Sequence, residues 1–293
     1  MDQAQQLRNV IKQKNIVKTS KITSNARILT ITSGKGGVGK SNLAVNLAIQ
    51  LRKFGKRVII FDADIGLANV EVMFGATPQY NLNDMIYKGK NLRDIISEGP
   101  MGIGFISGGS GIVGLSNLEP EQIDLLLHNL NGLDELADII IIDTGAGISD
   151  SVLKFVQNSP EVLLVTTPEP SSITDSYSLL KVLYQQPDFK AERTKIHLVA
   201  NKVLSVADAD ALYEKLRLVV SKFLGGELDY LGMVPMDMAL ERAVRKQKVV
   251  SLEAPGSNAA RAYSILADNL MNQGQKTLKM KKGFSQFFSN FIK

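Results

Sequence analysis

The sequence predicts a doubly wound α/β fold around a mostly parallel sheet. Six short β-branched runs alternate with longer stretches of helical spacing, the runs are apolar almost throughout, and a glycine-rich loop joins the first run to the first helical stretch. A strand covered by helices on both faces needs apolar side chains on both, which explains the missing alternation. Strand and helix in strict succession imply right-handed crossovers, with ligands bound at the carboxyl ends of the strands.

Taken in order, the expected strands are 28–33 (ILTITS), 57–62 (RVIIFD), 103–107 (IGFIS), 138–143 (DIIIID), 161–167 (EVLLVTT) and 195–200 (KIHLVA). Helical spacing with few breakers marks 42–54, 120–130, 172–184 and 207–224. The hydrophobic share of 44% in 293 residues is enough for a sizeable core in one large domain over 28–273. No internal repeat occurs, and no apolar run reaches the 18 uncharged residues of a membrane span. The first thirty residues lack the apolar stretch of a signal peptide, so the expected location is cytoplasmic. Cysteine is absent, which excludes disulfides, thiolate zinc sites and cysteine-held iron–sulfur clusters.

Charge is segregated. Residues 1–27 carry six bases against Asp2, and 276–293 carry five lysines and no acid, so each tail is +5 and the body between them −5. The segments 1–27 and 274–293 therefore read as basic tails that meet an acidic partner, the first a flexible one. A DNA-binding body would need a basic face to neutralise phosphates, so direct DNA binding is not expected.

The loop after the first strand is Gly34-Lys35-Gly36-Gly37-Val38-Gly39-Lys40-Ser41, followed by Asn42. It matches G-x-x-x-x-G-K-[ST] in the strand–loop–helix context that phosphate binding requires. Glycines let successive backbone N–H groups turn inward round an anion, and the helix adds its positive end. Lys40 should reach the β/γ-phosphates of ATP, and Ser41 offers its hydroxyl to Mg²⁺. Asp62 and Asp64 follow the second strand, and Asp143 ends the fourth, all at the carboxyl ends where the nucleotide crevice lies. His128 and His197 form no cluster with one another or with these acids by sequence, so neither is read as a ligand.

An ordinary phosphate loop needs no lysine directly after its first glycine. With Lys35, the loop resembles the deviant Walker A motif of the MinD/ParA/ArsA class, and the resemblance continues over roughly 28–255 through D-A-D-I-G-L-A-N at 62–69, Thr166 to Ser172, Asn201-Lys202 and Val234-Pro235. It implies that Lys35 crosses a dimer interface to the partner's phosphates and that Asp64 stands beside the attacking water. It further implies that Asp62 and Asp143 lie near the Mg²⁺ shell, and that Asn201 contacts adenine, with Pro235 in the same nucleotide site. At the N-terminus, Asp2-Gln3-Ala4-Gln5-Gln6-Leu7-Arg8 resembles the D-Q-A-x-x-L-R segment of the FlhG (FleN/YlxH) family, MinD-like ATPases that control flagellar number and placement. That resemblance implies an ATP-bound homodimer whose residues Asp2, Gln3, Ala4, Leu7 and Arg8 stimulate the GTPase FlhF, with flagellar basal-body (C-ring) components as possible further partners. A MinD-type division-site ATPase, a ParA-like DNA-segregation ATPase and a scaffold that binds nucleotide without turnover are the competing readings.

At the other end, Phe284, Phe287, Phe288, Phe291 and Ile292 recur at helical spacing beside Lys276, Lys279, Lys281, Lys282 and Lys293. An apolar stripe with a lysine flank predicts an amphipathic helix lying on an anionic membrane, so the protein is expected to be reversibly peripheral on the inner face of the cell membrane.

Overall fold

The computed structural model describes residues 26–64, 69–109, 132–272, 274 and 276–278. The expected helix over 120–130, His128, the N-terminal motif at Asp2–Arg8 and the phenylalanine stripe at Phe284–Ile292 lie outside the described residues.

Among the described residues, eight strands form one sheet: β1 (Arg27–Thr32), β2 (Val58–Ala63), β3 (Ser97–Glu98), β4 (Gly104–Ile106), β5 (Ile139–Thr144), β6 (Glu161–Thr166), β7 (Lys195–Val203) and β8 (Asp229–Pro235). Their order is β3-β4-β2-β5-β1-β6-β7-β8, parallel throughout except for the antiparallel β3–β4 edge. The six expected strands are present with shifts of one to three residues at their ends. The two not expected are the two-residue β3 and the edge strand β8, whose ladder to β7 is broken by register shifts and by Gly232 at φ 142°.

Helix α1 (Lys40–Lys53) begins directly at the loop and is buried at nearly every position from Leu43 to Leu51. Its buried polar side chains are satisfied, Gln50 donating to the Ser251 hydroxyl and Asn46 accepting from the Ser251 N–H, both at 3.0 Å. Short helices α2 (Asn69–Phe74), α3 (Leu82–Lys88), α4 (Leu92–Ile95) and α5 (Leu133–Leu136) follow, then α6 (Asp150–Gln157), α7 (Pro170–Tyr184), α8 (Val206–Leu224), α9 (Met238–Arg245), α10 (Val250–Glu253) and α11 (Asn258–Asn272).

The sheet divides two cores. Val58 and Ile60 of β2 face the larger one with α1 and α11, whereas Ile59 and Phe61 face a second one built from α3, α4 and Ile106. Period-two alternation thus survives as a choice of core rather than of core against water. Each fully buried leucine, such as Leu47 or Leu266, contributes about 1.5–3 kcal/mol.

Arg27 belongs to this body rather than to the basic N-terminal segment, which moves one charge and leaves the body −4. Its guanidinium holds both carboxylate oxygens of Glu161 at 2.7 and 2.6 Å and donates to the Leu270 carbonyl at 2.7 Å. The same turn of α11 receives the other end of the described chain. Asn269 exchanges two hydrogen bonds with the backbone of Lys276, Asp268 pairs with the Lys276 ammonium at 2.8 Å, and Leu278 is buried in a small cavity against Tyr230, Met233 and Ile265.

Candidate functional site

Gly34 to Ser41 turn from β1 into α1 with Gly37 at φ 74° and Gly39 at φ 102°, left-handed values that favour glycine. No side chain caps the N-terminus of α1, and its first turn holds no acid. Its free N–H groups and positive dipole end are therefore open to an anion. Gly34 is required for a different reason: a Cβ there would lie 2.1 Å from the backbone of Asp175 in α7. Gly34→Ala is accordingly expected to destabilise the protein by about 1–3 kcal/mol and to lower nucleotide affinity by pushing the loop off α7. A thermal melt unchanged by this substitution would refute the contact.

Lys40 and Lys35 occupy opposite environments. Lys40 is buried, donates to the Ser33 hydroxyl at 3.2 Å, and has its pKa lowered by desolvation, an effect opposed by Asp143 and Asp64. Lys35 lies on the exposed rim, where its ammonium donates to Glu169 at 3.0 Å and Ser171 at 2.8 Å, both at the start of α7. These two partners lie more than 130 residues away in sequence, so no local spacing announces them.

Parallel register sets Asp62 of β2 directly beside Asp143 of β5. Both carboxyl groups are buried. Desolvation, with the neighbouring carboxylates adding to it, pushes Asp143 up to about 7 and Asp62 up to about 6; the Ser41 hydroxyl and Lys40 pull Asp143 back part of the way. Asp62 is already engaged, since its two oxygens accept from the backbone N–H groups of Asp64 at 3.2 Å and Val70 at 3.1 Å. It thereby ties Asp64 and the start of α2 to the strand end. Among the described residues, neither oxygen of Asp143 has a partner at full hydrogen-bond geometry, although the Ser41 hydroxyl lies close enough to act on it. Two orphaned acceptors beside Ser41 and Lys40 fit a hydrated cation, which supplies the donors they lack. Asp64 accepts from Asn69 at 3.1 Å and faces Gly145.

A cleft of about 340 Å³ opens beside the loop, lined by Gly39, Asn42, Asn201, Lys202, Pro235 and α9 residues including Leu240 and Val244. Asn201 is buried, and its Nδ2 donates to the Val38 carbonyl at 2.6 Å. Sequence reasoning named Gly39, Asn42, Asn201 and Pro235 for this cleft but not α9. Met236, Asp237 and Glu241 follow Pro235 closely, so the signal for α9 was its adjacency to that proline. His197 stands at the opposite end of the sheet, 3.8 Å from both Glu161 and Asp229, and burial lowers its pKa. Among the described residues, no helix is long and apolar enough to cross a membrane, and no group of three His, Cys, Asp or Glu side chains is arranged to hold a metal.

Comparison with known proteins gives the lineage and the fold. Residues 24–271 match the family described as ParA, NUBPL iron-transfer P-loop NTPase. Because this chain has no cysteine, thiolate-held iron is outside its own chemistry. The antiactivator FleN of Pseudomonas aeruginosa is 39% identical over 83% of this chain and 86% of its own length. The flagellum site-determining protein YlxH of Helicobacter pylori is 36% identical over 100% of this chain and 98% of its own. Among solved structures, the septum site-determining protein MinD of Pyrococcus horikoshii, complexed with Mg-ADP, superposes with a TM-score of 0.67 at 24% identity, covering 84% of this chain and 96% of that one. The last likeness concerns the fold, the first three the lineage: the chain belongs to the ParA family of P-loop NTPases and, within it, to the FlhG (FleN/YlxH) group of MinD-like ATPases.

Proposed function

We propose that this ATPase is an ATP-dependent dimerising switch that controls flagellar number and placement, stimulates an FlhF-type GTPase through residues 1–8 and binds anionic membrane when dimeric. The observation that carries the reading is the division of labour between two lysines of one loop. Lys40 is buried beside its own loop, and Lys35 stands on the rim, held by an exposed carboxylate and a hydroxyl. A second ammonium placed there is useful to a phosphate on another copy of the chain.

In this reading the N–H groups from Gly34 to Ser41 cradle the phosphates, Lys40 neutralises their charge, and Asn42, Asn201 and Pro235 line the base site. Mg²⁺, when bound, would supply positive charge against the negative charge that moves on phosphoryl transfer. Ser41 would hold it directly and Asp143 through water, with Asp62 securing the turn that carries Asp64. Asp64 orients the attacking water. The name of the Helicobacter relative, a flagellum site-determining protein, and its alignment along 100% of this chain support the flagellar assignment.

The test combines ATP turnover with anionic vesicles and with an FlhF-type GTPase. Sedimentation should give a dimer with Mg-ATP and a monomer with ADP. A synthetic peptide of residues 1–8 should stimulate GTP hydrolysis, with Leu7→Ala weakening it. Phe287→Glu should abolish ATP-dependent, salt-sensitive vesicle binding while leaving dimerisation intact. Turnover raised by DNA and not by vesicles would return the ParA-like reading.

A further inference from the structure

Two consecutive residues of β7 reach across to the phosphate loop. Asn201 donates from Nδ2 to the Val38 carbonyl at 2.6 Å, and Lys202 donates from Nζ to the Gly37 carbonyl at 2.8 Å. Lys202 also has φ 55°, a left-handed value unusual for a side chain of this kind, at the point where the β7–β8 register slips. Its own N–H donates to Asn201 Oδ1 at 2.9 Å, so the strained turn is held by the same pair of residues it serves. Non-glycine residues keep such a conformation where the surroundings over-determine it.

In a trans peptide the C=O of one residue and the N–H of the next lie in one plane and point in opposite directions. Holding the Gly37 carbonyl outward therefore turns the Val38 N–H inward, and holding the Val38 carbonyl outward does the same for the Gly39 N–H. These are donors of the anion cradle. The space is also exclusive, because a Cβ on Gly39 would lie 2.3 Å from Asn201 Nδ2.

We infer that Lys202 is a positioning residue for the phosphate site: its ammonium braces the Gly37 carbonyl from outside and thereby sets the orientation of the Val38 N–H toward the nucleotide's phosphates. The inference rests on the loop being the ATP site and adds a residue that acts through the loop rather than on the base. It predicts a loss common to every ligand with phosphates in that cradle and indifferent to the base.

The experiment uses the full chain with Lys202→Met, Lys202→Gly and Lys202→Arg. Lys202→Met should weaken ATP and ADP alike, by about tenfold each, with the loss falling on KM more than on kcat and the ATP-over-GTP preference retained. Lys202→Arg should recover most of the affinity. Lys202→Gly frees the backbone of its strain yet removes the ammonium, so it should melt no lower than wild type and still show the loss. Wild-type affinity in Lys202→Gly or in Lys202→Met would overturn the brace. So would a changed base preference at unchanged ADP affinity, which would put Lys202 on the base instead. A wild-type chain that binds no ATP would overturn the phosphate-site assignment itself, and the inference with it.

Discussion

Asp143→Asn is expected to lower ATP turnover by about 10²-fold and, in the nucleotide-free protein, to raise the melting temperature. The two effects share a cause. Asp143 is fully buried beside Asp62, and burial pushes its carboxyl up to about 7 from an ordinary 3.8 despite the nearby Ser41 hydroxyl and Lys40. Between those values the folded protein binds more protons than the unfolded chain, so stability falls as pH rises from about 4 to about 7 and levels off above. Asp62, pushed up to about 6, adds a contribution of the same sign over a narrower window. The nucleotide-free protein should thus melt higher at pH 5 than at pH 8, and Asp143→Asn should flatten most of that slope. Denaturant unfolding across this range decides the matter; stability that climbs from pH 5 to pH 8 would contradict the buried charge.

Lys35→Ala should abolish ATP-dependent dimerisation and cost about 10³-fold in turnover, the lower range for a charge supplied across an interface. Binding of ATP by the monomer should survive, since Lys40 and the loop remain. Lys35 is poised to leave its present partners: the pair with Glu169 is exposed on both sides, and such pairs are worth at most about 1 kcal/mol. Asp64→Ala should give the complementary outcome, a dimer that does not hydrolyse. Sedimentation and phosphate release with Mg-ATP separate the two variants, and a Lys35→Ala protein that dimerises like wild type would remove the interface role.

Much of the fold was legible because burial on both faces leaves a strong residue-type signal. The Ile-rich run of β5 cannot face water, and the paired positions of Asp62 and Asp143 follow once β2 and β5 are neighbours. β8 escaped because Gly232 and the adjoining register shift interrupt its pattern. β3 is two residues long, too short for any periodicity. α11 lay outside the expected elements, although Ala259, Ala262, Tyr263, Leu266 and Leu270 form a regular buried stripe; its alanines weaken the apolar contrast. Within the site, the motif residues were readable and their supports were not. Ser33 under Lys40, Glu169 and Ser171 under Lys35, and Lys202 on Gly37 are tertiary pairings. The expectation that put Asp62 beside the cation could not foresee that two backbone amides already occupy its oxygens.

The two described ends of the chain are held by one turn of α11, Arg27 by the Leu270 carbonyl and Lys276 by Asp268 and Asn269. A pull on either end is therefore delivered to the same three residues, at the amino ends of the strands. The phosphate loop sits at the opposite end, about 20 Å away along the six residues of β1. Opposed tension on the two tails would close its circuit through this turn and leave the nucleotide crevice mechanically quiet, so that hauling on the ends does not of itself spring the catalytic machinery.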